Sequence, residues 1–243
     1  MRKILNRLIA LRRVACLLFL MLQCFPVLHA QQDSTNPYKL PLVADTGAYR
    51  QEITLNPSMR LVDLEAYIPG IIPDVRYATV KNFTGKQVYT SAALYARLPV
   101  AVALRQVQDE LKRQGLGLKV FDAYRPYAAT LLFYEIIRDT AFVAAPWKGS
   151  RHNRGCAVDV TLVDAFSGRE IDMPTPFDEF SPRAASNYDE LPKKVLLNRG
   201  LLQRVMQKYG FSVYPDEWWH FDFSGWEKYS LLDLSFEQLR QVR

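Results

Sequence analysis

Three histidines occur in the 243 residues, and His29 lies in a leader-like N-terminal stretch. The other two each stand beside an acid. His152 belongs to the run Ser150-Arg151-His152-Asn153-Arg154-Gly155-Cys156-Ala157-Val158-Asp159, and His220 closes Glu217-Trp218-Trp219-His220. Two imidazoles, one ligating carboxylate and one free carboxylate are the parts of a catalytic zinc centre: three protein ligands, a position open to water, and a general base. The same residues also suit a plainer role, a histidine satisfied by a neighbouring acid in the core or at the surface. Gly155 and Ala157 favour the metal reading, because small residues let the backbone fold closely around a ligand.

The elements that must position these residues follow from pattern. Residues 99–114 form the clearest helix: Val100, Ala103, Leu104, Val107 and Leu111 share one face, with Pro99 in the first turn and Gly115 at the stop. Residues 118–121 are a short apolar strand. It runs into Asp122-Ala123-Tyr124-Arg125-Pro126, and Pro126 opens a second helix through about residue 138. A loop over residues 141–149 delivers Ser150 and His152. Residues 157–162 alternate and are β-rich, which puts Asp159 on a strand. Residues 164–191 are a long, proline-containing loop, a length that in a compact domain tends to be functional. A helix over residues 193–209 is stopped by Gly210, and residues 211–214 and 219–223 are strands around Pro215-Asp216. Residues three apart on a regular strand face opposite sides. Glu217 and His220 therefore converge only if Glu217 sits in the turn before the strand or at a bulge; otherwise Glu217 is a solvated turn residue. Trp218 and Trp219 are expected on opposite sides, so at most one faces the site. The mix predicts an α+β fold, a single domain with a small antiparallel sheet, helices packed on it and the zinc site at the sheet.

At the scale of the chain, residues 1–30 read as a signal peptide. Arg2, Lys3, Arg7, Arg12 and Arg13 precede the apolar run VACLLFLML, and Ala30 offers a cleavage point. An uncleaved N-terminal anchor is the alternative. Taking those five basic residues from the 31 Lys and Arg leaves 26 against 25 acidic residues. The high pI thus belongs to the leader and gives no reason to expect nucleic acid or stable membrane insertion after cleavage. Export to the periplasm is the expected location. Cys16 and Cys24 leave with the leader, so Cys156 stands alone and no intrachain disulfide is available. A nucleophilic thiol would need a base, and both histidines are better used on a metal; Cys156 is expected to be a small buried packing residue. Residues 31–57 are expected to form an extended N-terminal segment, and residues 58–243 the catalytic domain.

With these segments placed, the chain resembles the VanX-type D-alanyl-D-alanine dipeptidases, from about Val62 to Phe223. The resemblance rests on Ser-x-His-x-x-Gly-x-Ala-x-Asp, on Glu-x-x-His and on Asp-x-Tyr-Arg-Pro, in that family's order. It implies one zinc ion per chain held by His152, Asp159 and His220. It implies Glu217 as catalytic base and Arg125 facing the scissile carbonyl. Tyr77 and Asp178 would help hold the substrate, and Ser150 would line its carboxylate end. The expected substrate is D-Ala-D-Ala or a related small dipeptide. The chain departs from the vancomycin-resistance members at Arg151, where they carry a second serine, so altered substrate contacts are expected there.

The chemistry suits these residue types. Zinc lowers the pKa of bound water towards about 7 and polarises a carbonyl. A free glutamate within about 3 Å can then take the proton and pass it to the leaving amine. Arg125 carries a permanent charge on donors that fan out, which suits an oxyanion; a structural ion pair with Asp122 is its alternative. Three other readings stay open: a D,D-carboxypeptidase on peptidoglycan stems, a non-catalytic zinc-binding module, and a cell-wall-binding protein without metal. Tyr77 and Asp178 weigh against the first, Glu217 and Arg125 against the second, and the two histidines against the third.

Overall fold

The computed structural model describes residues 35–242, so the expected signal peptide lies outside the described residues. A short strand β1 (Leu42–Val43) is followed by a helix α1 (Thr46–Leu55), where the sequence suggested an extended lead-in. Two local features make the helix. Asp45 caps it by accepting hydrogen bonds from the backbone of Gly47 and Ala48 at 2.9 and 2.8 Å, and Tyr49 and Ile53, four residues apart, bury one face. The Tyr49 hydroxyl then accepts from the Leu61 amide at 2.6 Å, tying α1 to the start of the domain. The expected boundary near residue 57 therefore falls inside a packed unit, which begins at Tyr38.

Next come β2 (Leu61–Asp63), the single turn α2 (Leu64–Tyr67), β3 (Ile72–Pro73) and β4 (Tyr95–Arg97), with β4 antiparallel to β2. The elements that build the site are α3 (Leu98–Lys112), β5 (Leu116–Asp122), α4 (Tyr127–Ile137), β6 (Ala157–Asp164), α5 (Lys193–Lys208), β7 (Phe211–Tyr214) and β8 (Glu217–Phe223). The chain ends in β9 (Leu231–Leu232), parallel to β1, and α6 (Phe236–Arg240), which carries a Ser235/Gln238 capping box. The central sheet has the order β3-β5-β6-β8-β7. It is antiparallel as expected, except that the two-residue edge strand β3 runs parallel to β5.

The two faces of this sheet divide the labour. On β6, Val158, Val160 and Leu162 point into the core with Leu104, Val107 and Leu111 of α3 and Leu202, Val205 and Met206 of α5. Side chains alternate along a strand, so Ala157, Asp159 and Thr161 turn to the other face. Helices α3 and α5 pack on each other and on the sheet, which leaves the opposite face for the site. Cys156 is fully buried beside β6, and burial pushes its thiol up to about 12, as a packing residue should behave.

Candidate metal and substrate site

Two irregularities in the sheet assemble the site. Val120 pairs with Val160, but Asp122 pairs with Asp159, so β5 spends one extra residue there. On a regular strand Asp122 would share the core-facing side of Leu118 and Val120; the bulge turns it to the site face beside Asp159. Between β7 and β8, Val213 pairs with Phe221 while Tyr214 pairs with Glu217. That bulge brings Glu217 round to His220, with Oε2 3.8 Å from Nδ1. Asp159 is itself the cross-strand partner of His220. Asp122, Asp159 and His220 thus form one row across β5, β6 and β8.

His152 reaches this row from a 3-10 turn at His152–Arg154. Gly155 ends the turn with φ +67, and a Cβ there would lie 2.5 Å from Leu61 Cδ2. Only glycine adopts that conformation and admits that approach without strain. Asn153 locks the turn: its side-chain amide donates to the Arg125 carbonyl at 2.9 Å, and its oxygen accepts from the Ser150 amide at 2.7 Å.

His152 Nε2, Asp159 Oδ1 and His220 Nδ1 converge, at 3.1 Å between the two nitrogens and 3.4 and 3.0 Å from each to the oxygen. The outward nitrogens are already engaged. His152 Nδ1 lies 2.7 Å from the Ala123 carbonyl, and His220 Nε2 lies 2.9 Å from Asp222 Oδ1. Both of those partners only accept, so each outward nitrogen carries a proton, which leaves each inward nitrogen able to offer a lone pair to a cation. Asp159 Oδ1 is buried and accepts no hydrogen bond. A cation among them satisfies all three at once; the alternative is a second proton on His220, which burial opposes but the Asp159 and Asp222 carboxylates favour, pushing its pKa up to about 10. Bonds of about 2.0–2.1 Å to a tetrahedral zinc give ligand–ligand edges of about 3.3–3.4 Å, within a few tenths of these separations.

The charge balance agrees. Asp122, Asp159, Glu217 and Asp222 all lie within 4 Å of the two histidines. Against them stand two guanidinium groups, Arg125 and Arg151. The excess negative charge is what a divalent cation would neutralise. Glu217 lies free of the trio, and burial pushes its carboxyl up to about 7, with the His220 charge opposing.

The remaining predicted residues line the same cavity of about 400 Å³. Arg125 donates from Nε and Nη2 to Asp122 Oδ2 at 2.9 and 2.8 Å, and its Nη2 also lies 4.0 Å from Asp159 Oδ2. The ion pair with Asp122 and the place facing the site are therefore compatible: Asp122 holds the guanidinium where it can reach the cavity. The Tyr77 and Phe133 rings flank that guanidinium at 5.5 and 4.8 Å. The Tyr77 hydroxyl donates to both oxygens of Asp178 at 3.1 and 3.0 Å. Burial, and next the Asp159 charge, push the Asp178 carboxyl well above the usual carboxylate range. Ser150 Oγ accepts from the His152 amide at 3.2 Å. Trp219 lines the cavity, whereas Trp218 donates to Thr175 Oγ1 at 3.0 Å in the core.

Residues 57–236 match the Peptidase_M15 family, described as D-Ala-D-Ala dipeptidase. The chain belongs to this family. A D-alanyl-D-alanine dipeptidase of Escherichia coli (strain K12) is 33% identical over 178 residues, covering 73% of this chain and 92% of the relative. Dipeptidases of the same name from Enterococcus faecalis (strain ATCC 700802 / V583) and Streptomyces coelicolor are 30% and 29% identical, each covering 65% of this chain and 88% of the relative. The protein is an α+β metallopeptidase-family member with a His/Asp/His cluster on its sheet.

Two residues that sequence reasoning did not single out belong to this site. Asp222 orients His220, and Asn153 fixes the His152 turn. Asp222 had a signal: it lies two residues after His220, hence on the same strand face. Asn153 had none, because its partners, the backbone of Arg125 and Ser150 and the Thr130 hydroxyl, are brought near only by the fold.

Proposed function

We propose that this protein is an exported, zinc-dependent D-alanyl-D-alanine dipeptidase. The observation that carries the reading is the convergence of His152 Nε2, Asp159 Oδ1 and His220 Nδ1 with Glu217 beside them but outside the trio. Zinc held by those three residues would supply a more acidic water and a polarised carbonyl. Glu217 takes the proton of the attacking water and delivers it to the leaving amine, a task suited to a carboxyl that titrates near neutrality. Arg125, fixed by Asp122, donates to the carbonyl oxygen as negative charge develops there. Asp178 and the Tyr77 hydroxyl receive the substrate ammonium, and Ser150 lies toward its carboxylate.

Family membership supports the substrate class. The Tyr77–Asp178 pair supports the dipeptidase over the carboxypeptidase reading, because an anion placed to meet a free amine has no role at an open peptide stem. The basic and apolar leader over residues 1–30 supports export. Among the described residues no helix is long and apolar enough to cross a membrane.

The test has two arms. Purified protein is expected to hold one zinc per chain and to lose it in His152→Ala and in His220→Ala; full retention in both variants would overturn the metal assignment. The zinc-loaded protein is expected to release alanine from D-Ala-D-Ala and not from L-Ala-L-Ala; no release from the D,D-dipeptide would overturn the substrate assignment. For export, the periplasmic protein is expected to begin near Gln31 on N-terminal sequencing.

A further inference from the structure

Among the cavity-lining side chains is a guanidinium that the roles assigned above do not use. Arg151 lines the cavity, and its side chain is 38% exposed. Its carbon Cζ sits 4.9 Å from the centre of the Trp226 ring, so the group is held over an aromatic face. Its Nε is buried and makes no hydrogen bond. Within 4 Å its ionic neighbour is Asp222, with Oδ2 3.6 Å from Nε, and Asp222 already accepts from His220 through Oδ1. The guanidinium is thus positioned and charged, yet its fan of donors is unspent.

Two runs of contacts in the cavity, one ending in a carboxyl and one in a guanidinium, are complementary to a zwitterion. One runs from Asp159 through Arg125 and Tyr77 to the Asp178 carboxylate. The other runs from His220 through Asp222 to Arg151 over Trp226. The two runs meet where Asp159 and His220, members of the His/Asp/His cluster, lie 3.0 Å apart. A free dipeptide has an ammonium at one end, a carboxylate at the other and its amide bond in the middle. We propose that Arg151 is the specificity residue that binds the substrate's C-terminal carboxylate, jointly with the Ser150 hydroxyl next to it in the chain. The inference rests on the dipeptidase reading above and adds to it the residue that reads the second charge. Ser150 alone gives one neutral donor; Arg151 gives a planar pair of charged donors that matches a carboxylate. Contact with the Trp226 ring restrains the guanidinium, so less freedom is lost when the substrate arrives.

The experiment compares D-Ala-D-Ala with its C-terminal amide, in the zinc-loaded unmodified enzyme and in Arg151→Met, which keeps an apolar chain against Trp226. Losing one partner of a charge-assisted pair at a half-exposed site corresponds to about thirtyfold in kcat/KM. The unmodified enzyme is expected to prefer the free acid by about that factor. In Arg151→Met the free acid is expected to fall by about the same factor while the amide changes little, with zinc content unchanged. Arg151→Lys, which keeps the charge but not the fork, is expected to restore part of the preference. An unaltered acid-to-amide ratio in Arg151→Met would overturn the assignment. So would zinc loss with an equal fall on both substrates, which would make Arg151 a positioning residue for Asp222 and His220. No cleavage of D-Ala-D-Ala by the unmodified enzyme would instead overturn the dipeptidase reading itself.

Discussion

His152, His220 and Arg125 are each held by a second group, and the role proposed for each depends on that partner. Glu217 is the exception that tests the assignment. It stands 3.8 Å from His220 Nδ1 without joining the trio, so Glu217→Gln removes a base and leaves the ligands intact. We expect zinc content to persist and kcat to fall by about a hundredfold to ten-thousandfold, the usual weight of a general base. Metal analysis beside turnover checks this; loss of the zinc would make Glu217 a ligand. Asp222 makes the converse case. It has no role of its own in the reaction, but it holds a proton of His220 on Nε2. Asp222→Ala is expected to weaken zinc binding by about 10- to 100-fold, read by competition with a chelator, with a smaller effect on turnover at saturating metal. Unchanged zinc affinity would show that His220 needs no help to present Nδ1.

At the scale of elements, the site depends on where regular structure is interrupted. Gly155 ends the His152 turn at positive φ, with Leu61 Cδ2 where a side chain would start. Gly155→Ala is expected to cost about 1–3 kcal/mol, seen as a lower urea midpoint at unchanged slope, and to weaken zinc binding as His152 shifts. Wild-type stability in that variant would mean the turn is not constrained as described. The helices over residues 98–112 and 193–208 and the strand carrying Asp159 were legible in the sequence, because long apolar periodicity reports burial directly. The need for a bulge or turn at Glu217 was legible too, since three-residue spacing and strand alternation conflict. The bulge at Asp122 was not, because nothing in a single strand shows how many residues its neighbour spends opposite it. Helix α1 was misread as extended. Its polar, threonine-containing sequence hides only two buried side chains, Tyr49 and Ile53, and its packing partner begins at Leu61.

For the molecule as a whole, the sheet separates stability from chemistry: one face packs on α3 and α5, the other carries a row of acids and histidines. The cavity on that face is lined by the His/Asp/His cluster and by Asp178. Under the proposed function, that arrangement selects substrates with a free amine. Burial raises the Asp178 carboxyl toward its neutral form when it is unpaired, so losing the ammonium costs less than stranding a buried charge, and about a hundredfold in rate is the expected scale. The measurement that tests this most directly is the ratio of kcat/KM for D-Ala-D-Ala to that for N-acetyl-D-Ala-D-Ala in the zinc-loaded enzyme. We predict a ratio of about a hundred or more, narrowed in Asp178→Ala because the free dipeptide slows; comparable rates on the two substrates in the unmodified enzyme would contradict the account and favour a D,D-carboxypeptidase.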